Sequence, residues 1–291
     1  MNFWIAAMFL GADQMVGLAR AAEELGYTGL ALADHIAVPK GYQSLHPSGL
    51  RGVFDETAPF PDSFTCIAAM ATVTTRLRFM TYVYVLPMRE PFSVAKQAGT
   101  VATLSNHRFS LGVGAGWLRE EIELLGYDPR TRGKRFDEML EVIHRFLEDG
   151  TTEYHGRFFD FGPAGMHPRP ERTVPIWVGG KSPIALARAA RHDGWLGMNY
   201  PMEEIESLLP ALNAAREKQA GITGHSREAF ETIVIPLETP SPELFQDLAK
   251  RGVTGTVCSP WPLGDPAFES LQSKVDALGQ FAERFIAPGL T

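Results

Sequence analysis

Residues 3–35 read FWIAAMFLGADQMVGLARAAEELGYTGLALADH and contain the first repeat of the pattern from which the fold is predicted. Its apolar start predicts a buried strand at 3–9, and the apolar residues that follow at helical spacing predict a helix that ends at Gly26. A second apolar run predicts another strand at 28–33. Strand, helix and strand in alternation are typical of a parallel α/β fold.

The same alternation continues to the end of the chain. The later strands are predicted at 78–86, 108–113, 174–178, 195–198, 229–237 and 253–258, and helices at 62–75, 92–104, 117–125, 133–148 and 202–219. A hairpin is predicted at 152–161 around Gly156-Arg157, and a last helix with Asp265 as its cap and Pro266 in its first turn. Eight strands predict a closed (β/α)8 TIM barrel with inserted loops, formed by one domain at 1–291. An open doubly wound sheet usually has fewer strands.

Composition excludes several classes of protein. The chain has 34 acidic and 27 basic residues and a net charge of −7, which opposes binding to nucleic acid or to an anionic membrane surface. Cys66 and Cys258 fit neither a disulfide framework nor a metal cluster, and the histidines lack metal-ligand spacing. We therefore expect a cytoplasmic protein without a metal, and a homodimer as the common state of soluble enzymes.

The second strand ends in Asp34-His35, a carboxylate beside an imidazole. Barrel enzymes have their active sites at the carboxyl ends of the strands, and such a pair can transfer protons near neutral pH. In the alternative interpretation, Asp34 caps a loop and His35 is a semi-buried histidine. The position at a strand end favours catalytic roles for Asp34 and His35.

Two further strand ends have unusual compositions. The third strand ends in Val83, Tyr84, Val85 and Leu86. These residues either form an apolar wall for a flat ring or are simply a buried strand. The fourth strand runs into Gly112–Trp117, where Gly114 and Gly116 allow close approach of a ligand. This is not the dinucleotide fingerprint, because Trp117 stands where the last glycine is required.

The fifth strand runs into Gly179, Gly180, Lys181 and Ser182, directly before a helical pattern. Free N–H groups at this turn, together with Lys181 and Ser182, could hold a phosphate. The pattern is not a Walker A loop, because Pro175 stands where glycine is needed. A tight strand-to-helix turn is the alternative, but four distinctive strand ends on one face of a barrel favour a single extended ligand.

The longest irregular stretch is 36–60. It carries Tyr42, His46, Arg51 and Phe54. Loops of this length in compact domains are usually functional, so this one is expected to line or cover a substrate pocket.

Three segments together resemble the luciferase-like monooxygenase superfamily, and especially its deazaflavin-dependent branch. They are Ala33-Asp34-His35-Ile36, the stretch from Pro61-Asp62-Ser63-Phe64 to Thr74-Thr75-Arg76-Leu77-Arg78, and Gly112-Val113-Gly114-Ala115-Gly116-Trp117. The resemblance covers roughly residues 1–200. It implies a (β/α)8 barrel, with a non-proline cis peptide within Tyr82–Val85. It also implies Asp34 and His35 near the reactive ring, Val85-Leu86 against it, and Gly179-Gly180 near a phosphate-bearing tail.

The resemblance also suggests a cofactor. Asp-His after the second strand, instead of the Glu-His-His of many flavin members, resembles the branch that uses the deazaflavin coenzyme F420, with FMN as the alternative. Trp117 occupies a position where some deazaflavin dehydrogenases have an acidic glutamate, which disfavours sugar-phosphate dehydrogenation. We expect hydride transfer between a deazaflavin and a small organic substrate, with His35 exchanging the proton. There are three alternatives. The chain could be an FMN-dependent monooxygenase, an aldolase or isomerase in which Lys181 forms the Schiff base, or a non-catalytic cofactor-binding relative.

Overall fold

A computed structural model describes residues 1–47, 52–223, 229–262 and 265–289. Its strands are β1 (Asn2–Ala7), β2 (Gly29–Leu32), β3 (Arg78–Thr81), β4 (Tyr84–Val85), β5 (Phe109–Gly114), β6 (Thr151–His155), β7 (Asp160–Gly165), β8 (Ile176–Gly179), β9 (Gly194–Tyr200), β10 (Glu231–Pro236) and β11 (Gly255–Cys258). β6 and β7 form the predicted hairpin. The others form one parallel sheet in the order β3-β2-β1-β11-β10-β9-β8-β5-β4, and pairing of β3 with β5 closes it.

β3 and β4 are two parts of the third barrel strand, so the closed sheet has eight strands and the predicted TIM barrel is confirmed. The α-helices are α1 (Ala12–Glu24), α2 (Ser63–Ala71), α3 (Pro91–Leu104), α4 (Arg119–Leu124), α5 (Arg132–Asp149), α6 (Pro183–Ala189), α7 (Met202–Thr223), α8 (Pro242–Lys250) and α9 (Leu271–Phe285). None of the helices in the described ranges has the length and apolar composition that a membrane span requires.

The third strand differs from its prediction. A continuous strand at 78–86 is wrong, because the chain leaves the sheet at Tyr82 and Val83, which are joined by a cis peptide bond. The side chain of Tyr82 enters the barrel interior, and its hydroxyl donates to the carbonyl of Gly197. Beyond β4, Leu86–Met88 form a 3-10 turn. The cis bond lies in the stretch for which the family resemblance implies one.

The last helix begins later than predicted. Asp265 is a cap, but of a short 3-10 turn at Pro266–Phe268. α9 begins at Leu271, where the Ser270 side chain caps it. The predicted start at Asp265 is wrong because Ser270 has extended backbone dihedrals, which separate the first turn from the helix.

Side chains that point inward fill the barrel, which leaves the rim as the place for a ligand. Trp4, Met80, Trp177 and Ile233 are fully buried in this interior cluster, and the rings of Trp4 and Trp177 meet edge to face at 5.8 Å. Side chains on the other face of the strands pack against the helices in a second layer. Barrels of this kind have a packed core and no pore.

Glu23, near the end of α1, organises the turn before β3. Its carboxylate accepts hydrogen bonds from the backbone N–H groups of Thr75, Arg76 and Leu77 at 2.7 to 2.9 Å. Burial raises the pKa of Glu23, but these hydrogen bonds outweigh burial and lower the pKa from 4.5 to about 2. The ionised carboxylate therefore stabilises the folded chain at this turn.

We expect Glu23→Gln to remove part of the acid sensitivity of the fold. The pKa of Glu23 is lower in the folded chain, so its stabilisation is complete above about pH 4.5 and is lost as the pH falls toward about 2. Urea unfolding between these pH values measures this dependence. The wild-type free energy of unfolding should fall more steeply than that of the variant. Glu24→Gln, on the exposed side of the same helix, should keep the wild-type slope; equal slopes for all three proteins would contradict the assignment.

Candidate active site

A cleft lies at the rim where the carboxyl ends of the barrel strands meet. It contains about 1090 Å³ of empty space, including the part that is open to solvent. The predicted site residues that line it are Asp34, His35, Val83, Val85, Gly114, Gly116, Trp117, Gly179, Gly180, Lys181 and Ser182. Tyr84 and Leu86 do not line it. Both are buried in the layer between sheet and helices, where the ring of Tyr84 packs against Phe64 at 4.8 Å.

His35 is held by a carboxylate that the sequence analysis did not identify. Its Nδ1 lies 2.6 Å from Oε2 of Glu121, and the side chains of His35 and Glu121 are 9% and 1% exposed. The other oxygen, Oε1, accepts hydrogen bonds from the N–H groups of Ile36 and Ala37 at 2.7 and 3.0 Å. Since an ionised carboxylate only accepts, Nδ1 carries a proton in this arrangement, and Nε2 is the ring nitrogen that Glu121 does not engage.

Asp34 faces a different set of groups from its neighbour His35. Its Oδ2 accepts the N–H of Val85 at 3.0 Å, and its Oδ1 accepts a hydrogen bond from the Arg89 guanidinium at 2.7 Å. Burial raises the pKa of the Asp34 carboxyl, while Arg89 and the Val85 N–H oppose this rise. The predicted pair of Asp34 with His35 is thus replaced by Glu121 with His35, because the Asp34 carboxylate is engaged by Val85 and Arg89.

The side chain of Val83 fills a slot between two glycines. A Cβ at Gly114 would lie 2.5 Å from Cγ2 of Val83, and one at Gly179 would lie 2.9 Å from its Cγ1. From the sequence, Gly114 was expected to allow close approach of a ligand and Gly179 to belong to a phosphate-binding turn. In the structure they are required by Val83, whose side chain forms part of the cleft wall.

At the end of β8, several groups are engaged within the protein. The Gly180 N–H donates to the Leu196 carbonyl at 3.3 Å, and the Ser182 hydroxyl accepts the N–H of Ala185 at 3.2 Å. Lys181 Nζ lies 2.6 Å from Oε1 of Glu204. The predicted phosphate cradle therefore retains fewer free donors than the sequence suggested. The Schiff-base candidate Lys181 is held in an ion pair.

Four aromatic side chains pack in a cluster that includes the His35 ring, and Trp117 brings this cluster to the cleft. We call Tyr42, Phe54, Phe60 and Trp117 the aromatic roof. His35 lies 4.9 Å from the Phe54 ring, 4.7 Å from Phe60 and 6.0 Å from Trp117. The Tyr42 hydroxyl donates to the Phe54 carbonyl at 2.8 Å and so joins two parts of the 36–60 loop, which we call the roof loop. Of the described residues of the 36–60 loop, Pro47 lines the cleft, and the predicted role of this loop in covering a substrate pocket stays a prediction. Arg51 lies outside the described residues.

Adjacent glutamates on α4 hold the roof loop. Glu120 accepts the N–H groups of Gln43 and Ser44 at 2.8 and 3.0 Å, next to the contacts that Glu121 makes with the loop. His46 packs on Trp117 at 5.0 Å, and burial, together with the nearby His35, lowers its pKa. Both effects favour the neutral form of the His46 ring beside Trp117.

Sequence reasoning missed several residues of the cleft. Phe136, Arg188, Met198 and Tyr200 line it, and Glu121 orients His35. The six-residue helix α4 is too short to have a clear apolar period, so nothing in the sequence distinguishes buried Glu121 from exposed Glu123. No group of three or more His, Cys, Asp or Glu side chains is arranged for a metal in the part of the chain that the structure describes.

A cleft at the carboxyl rim of a (β/α)8 barrel is where TIM-barrel enzymes have their active sites. The sequence model of the luciferase-like monooxygenase family matches residues 6–238. The Mycobacterium tuberculosis protein Rv0940c is 39% identical over 292 residues, which cover 99% of each chain. The chain belongs to the luciferase-like monooxygenase family, whose members are oxidoreductases and monooxygenases.

Solved structures share this fold. Monooxygenase RslO1 from Streptomyces bottropensis superposes with a TM-score of 0.76 at 19% identity, and F420-dependent tetrahydromethanopterin reductase from Methanopyrus kandleri with 0.70 at 16%; both cover 99% of each chain. The FMN complex of 3,6-diketocamphane monooxygenase from Pseudomonas putida gives 0.61 at 16% identity, over 86% of this chain and 71% of that one. The fold alone therefore does not choose between a deazaflavin and a flavin.

We expect Gly114→Ala to destabilise the protein by roughly 1–3 kcal/mol, because the added Cβ overlaps Val83. Val83→Ala in the same chain should remove most of that additional cost, since it deletes the Cγ atoms that clash. Urea unfolding of both single variants and of the double variant measures this coupling. Gly279→Ala is the control, because its Cβ meets nothing within 4 Å. Additive effects at positions 83 and 114 would show that the slot does not fit Val83 as described.

Proposed function

We propose that the protein transfers a hydride between a deazaflavin and a small, uncharged organic substrate at the carboxyl rim of the barrel. His35 exchanges the accompanying proton. The observation that carries this proposal is the orientation of His35. Its Nδ1 is fixed by the buried Glu121, and its ring lines the same cleft as Val83, Val85 and Gly179.

The lining of the cleft has the chemistry for a tricyclic cofactor. The cavity volume to compare with other ligand pockets is about 290 Å³, near the lower end of their range of about 300–1000 Å³. Val83, Val85 and Leu196 offer apolar surface to a ring. Lys181 and Arg188 also line the cleft, and each would contact a phosphate-bearing tail on exchanging its carboxylate partner, Glu204 or Asp137, for the phosphate. When bound, a deazaflavin supplies a centre that accepts or donates a hydride and reacts poorly with oxygen.

The reaction moves one proton along with the hydride, and a histidine whose Nδ1 is bound by a carboxylate can carry that proton on Nε2. When the substrate is oxidised, a C–H bond gives up a hydride and an O–H or N–H bond gives up a proton. Nε2 of His35 accepts that proton, and in the reverse direction it returns it. Glu121 holds the ring with Nδ1 protonated, which keeps Nε2 as the proton acceptor.

The aromatic roof favours an uncharged substrate. His35 is packed among the rings of Phe54, Phe60 and Trp117, at centroid distances of 4.7 to 6.0 Å. The cations at the far end of the cleft are paired, Lys181 with Glu204 and Arg188 with Asp137, each at 2.6 Å. A charged substrate beside these rings would lose hydration, and none of the four described side chains of the aromatic roof carries a charge to replace it.

Titration with each cofactor separates the proposal from the flavin alternative. We expect the purified protein to bind oxidised coenzyme F420 saturably, with FMN binding at least about tenfold weaker, a difference of about 1.4 kcal/mol. Cofactor fluorescence reports both affinities. Preference for FMN would replace hydride transfer by reduced-flavin monooxygenation. Absence of binding to either would reject a cofactor in this cleft.

Two variants test the proton-handling roles. His35→Ala should lower turnover by roughly 10²–10⁴-fold with little change in cofactor affinity. Glu121→Gln should have a similar effect. The amide oxygen accepts the N–H groups of Ile36 and Ala37, so the amide NH₂ group faces Nδ1 of His35. The ring proton then moves to Nε2, which can no longer accept the proton of the substrate. Steady-state kinetics and cofactor titration measure the two effects separately.

Glu123→Gln is the matched control, because Glu123 lies on the exposed side of the same short helix. It should leave turnover within about twofold of wild type, a change in barrier of less than about 0.5 kcal/mol. Normal turnover by His35→Ala with cofactor bound would remove His35 from the reaction. Normal turnover by Glu121→Gln alone would remove only the orienting role of Glu121.

A further inference from the structure

Arg89 is not among the residues that line the cleft, yet its guanidinium reaches the segment that forms the cleft wall. Nη2 donates to Oδ1 of Asp34 at 2.7 Å, and Nη1 donates to the backbone carbonyl of Val85 at 3.2 Å. The guanidinium carbon lies 3.9 Å from the centre of the Tyr84 ring, over its face. Arg89 is therefore held by a carboxylate, a carbonyl and an aromatic face at once.

The same ion pair binds both backbone polar groups of Val85. Asp34 Oδ2 accepts the N–H of Val85 at 3.0 Å, while Arg89 holds its carbonyl. The side chains of Arg89 and Asp34 are 15% and 4% exposed, so the pair is largely desolvated and its hydrogen bonds are stronger than those of a surface pair. Val85 therefore has a fixed position relative to Asp34.

Asp34 is covalently adjacent to His35, and Val85 follows Val83 by two residues. His35, Val83 and Val85 all line the cleft. The ion pair thus joins the end of β2, which carries the proton-exchanging histidine, to β4, which carries the apolar wall. A change in this pair would alter the distance between the two.

We propose that Asp34 and Arg89 act as a positioning pair that sets the placement of His35 relative to the Val83–Val85 wall of the cleft. The two residues act through Val85 and through the chain at His35. For its effect on catalysis, the inference rests on the proposed function, because it assumes that a ring lies against this wall. The backbone restraint on Val85 is independent of any cofactor.

Arg108 provides a matched control at the opposite end of the barrel. Like Arg89, it binds backbone carbonyls with its guanidinium, donating to Leu77 O at 2.6 Å and to Ala71 O at 2.9 Å, and it lies over the ring of Phe79 at 5.4 Å. It precedes the start of β5, whereas the cleft lies at the other end of that strand. Arg108→Met should destabilise the fold without changing the cleft.

The experiment compares Arg89→Met, Arg89→Lys and Asp34→Asn with Arg108→Met in the full chain. Amide hydrogen exchange of Val85 is measured without cofactor, and F420 affinity, KM and kcat are measured with it. We expect the Val85 amide to exchange about tenfold faster in Arg89→Met than in Arg108→Met. The two variants are compared under conditions in which their free energies of unfolding are equal. F420 affinity should fall by about tenfold, because the wall against which the ring lies is no longer held in place, and kcat by about 100-fold.

Arg89→Lys should fall between Arg89→Met and wild type, because one ammonium can hold Asp34 without also fixing the Val85 carbonyl. Asp34→Asn should also speed exchange of the Val85 amide. These conservative variants decide the question if Arg89→Met does not fold. Unchanged Val85 exchange together with wild-type affinity and kcat in stable Arg89 variants would overturn the proposal. If the wild-type protein binds neither F420 nor FMN, the proposed function fails, and Val85 exchange still decides whether the pair restrains the wall.

Discussion

Closure of the barrel between the third and fourth strands is the constraint on which the rest of the site depends. Phe79 and Met80 of β3 pair with Phe109 and Ser110 of β5, but beyond this point the third strand leaves the sheet and returns as β4. The interruption directs the side chain of Tyr82 into the barrel and Val83 toward the rim. A regular strand would have continued the ladder and would not have presented this wall.

The interruption is possible because its neighbours leave room and supply hydrogen bonds. Gly114 and Gly179 admit the side chain of Val83, which no larger residue would allow without movement. Asp34 replaces a strand partner for the Val85 N–H. Since a buried N–H without a partner would cost about 1–3 kcal/mol, this carboxylate is needed at the rim for the fold as well as for the site.

Buried or half-buried carboxylates organise irregular segments throughout the protein. Glu23 binds three successive N–H groups before β3, Glu121 binds two after β2, and Glu138 binds those of the 157–159 turn. Each is an acceptor that satisfies several donors at once, which a neutral side chain of similar size does less well. Part of the acidic excess of the chain therefore has a structural use in its loops, and in Glu121 this use extends to the orientation of His35.

The amino-acid order was enough to predict the alternation of strands and helices, the closed barrel, and the meeting of Asp34, His35, Val83 and Gly179 at one rim. Periodicity identifies each strand locally, and strands joined through helices all run in the same direction. The amino-acid order was not enough to predict that the third strand divides, that Tyr84 and Leu86 turn away from the cleft, or that His35 is paired with Glu121. These depend on partners far apart in the chain, 86 positions in the case of His35 and Glu121. Which partner each side chain contacts depends on the direction in which it packs, and that direction is set by the tertiary structure.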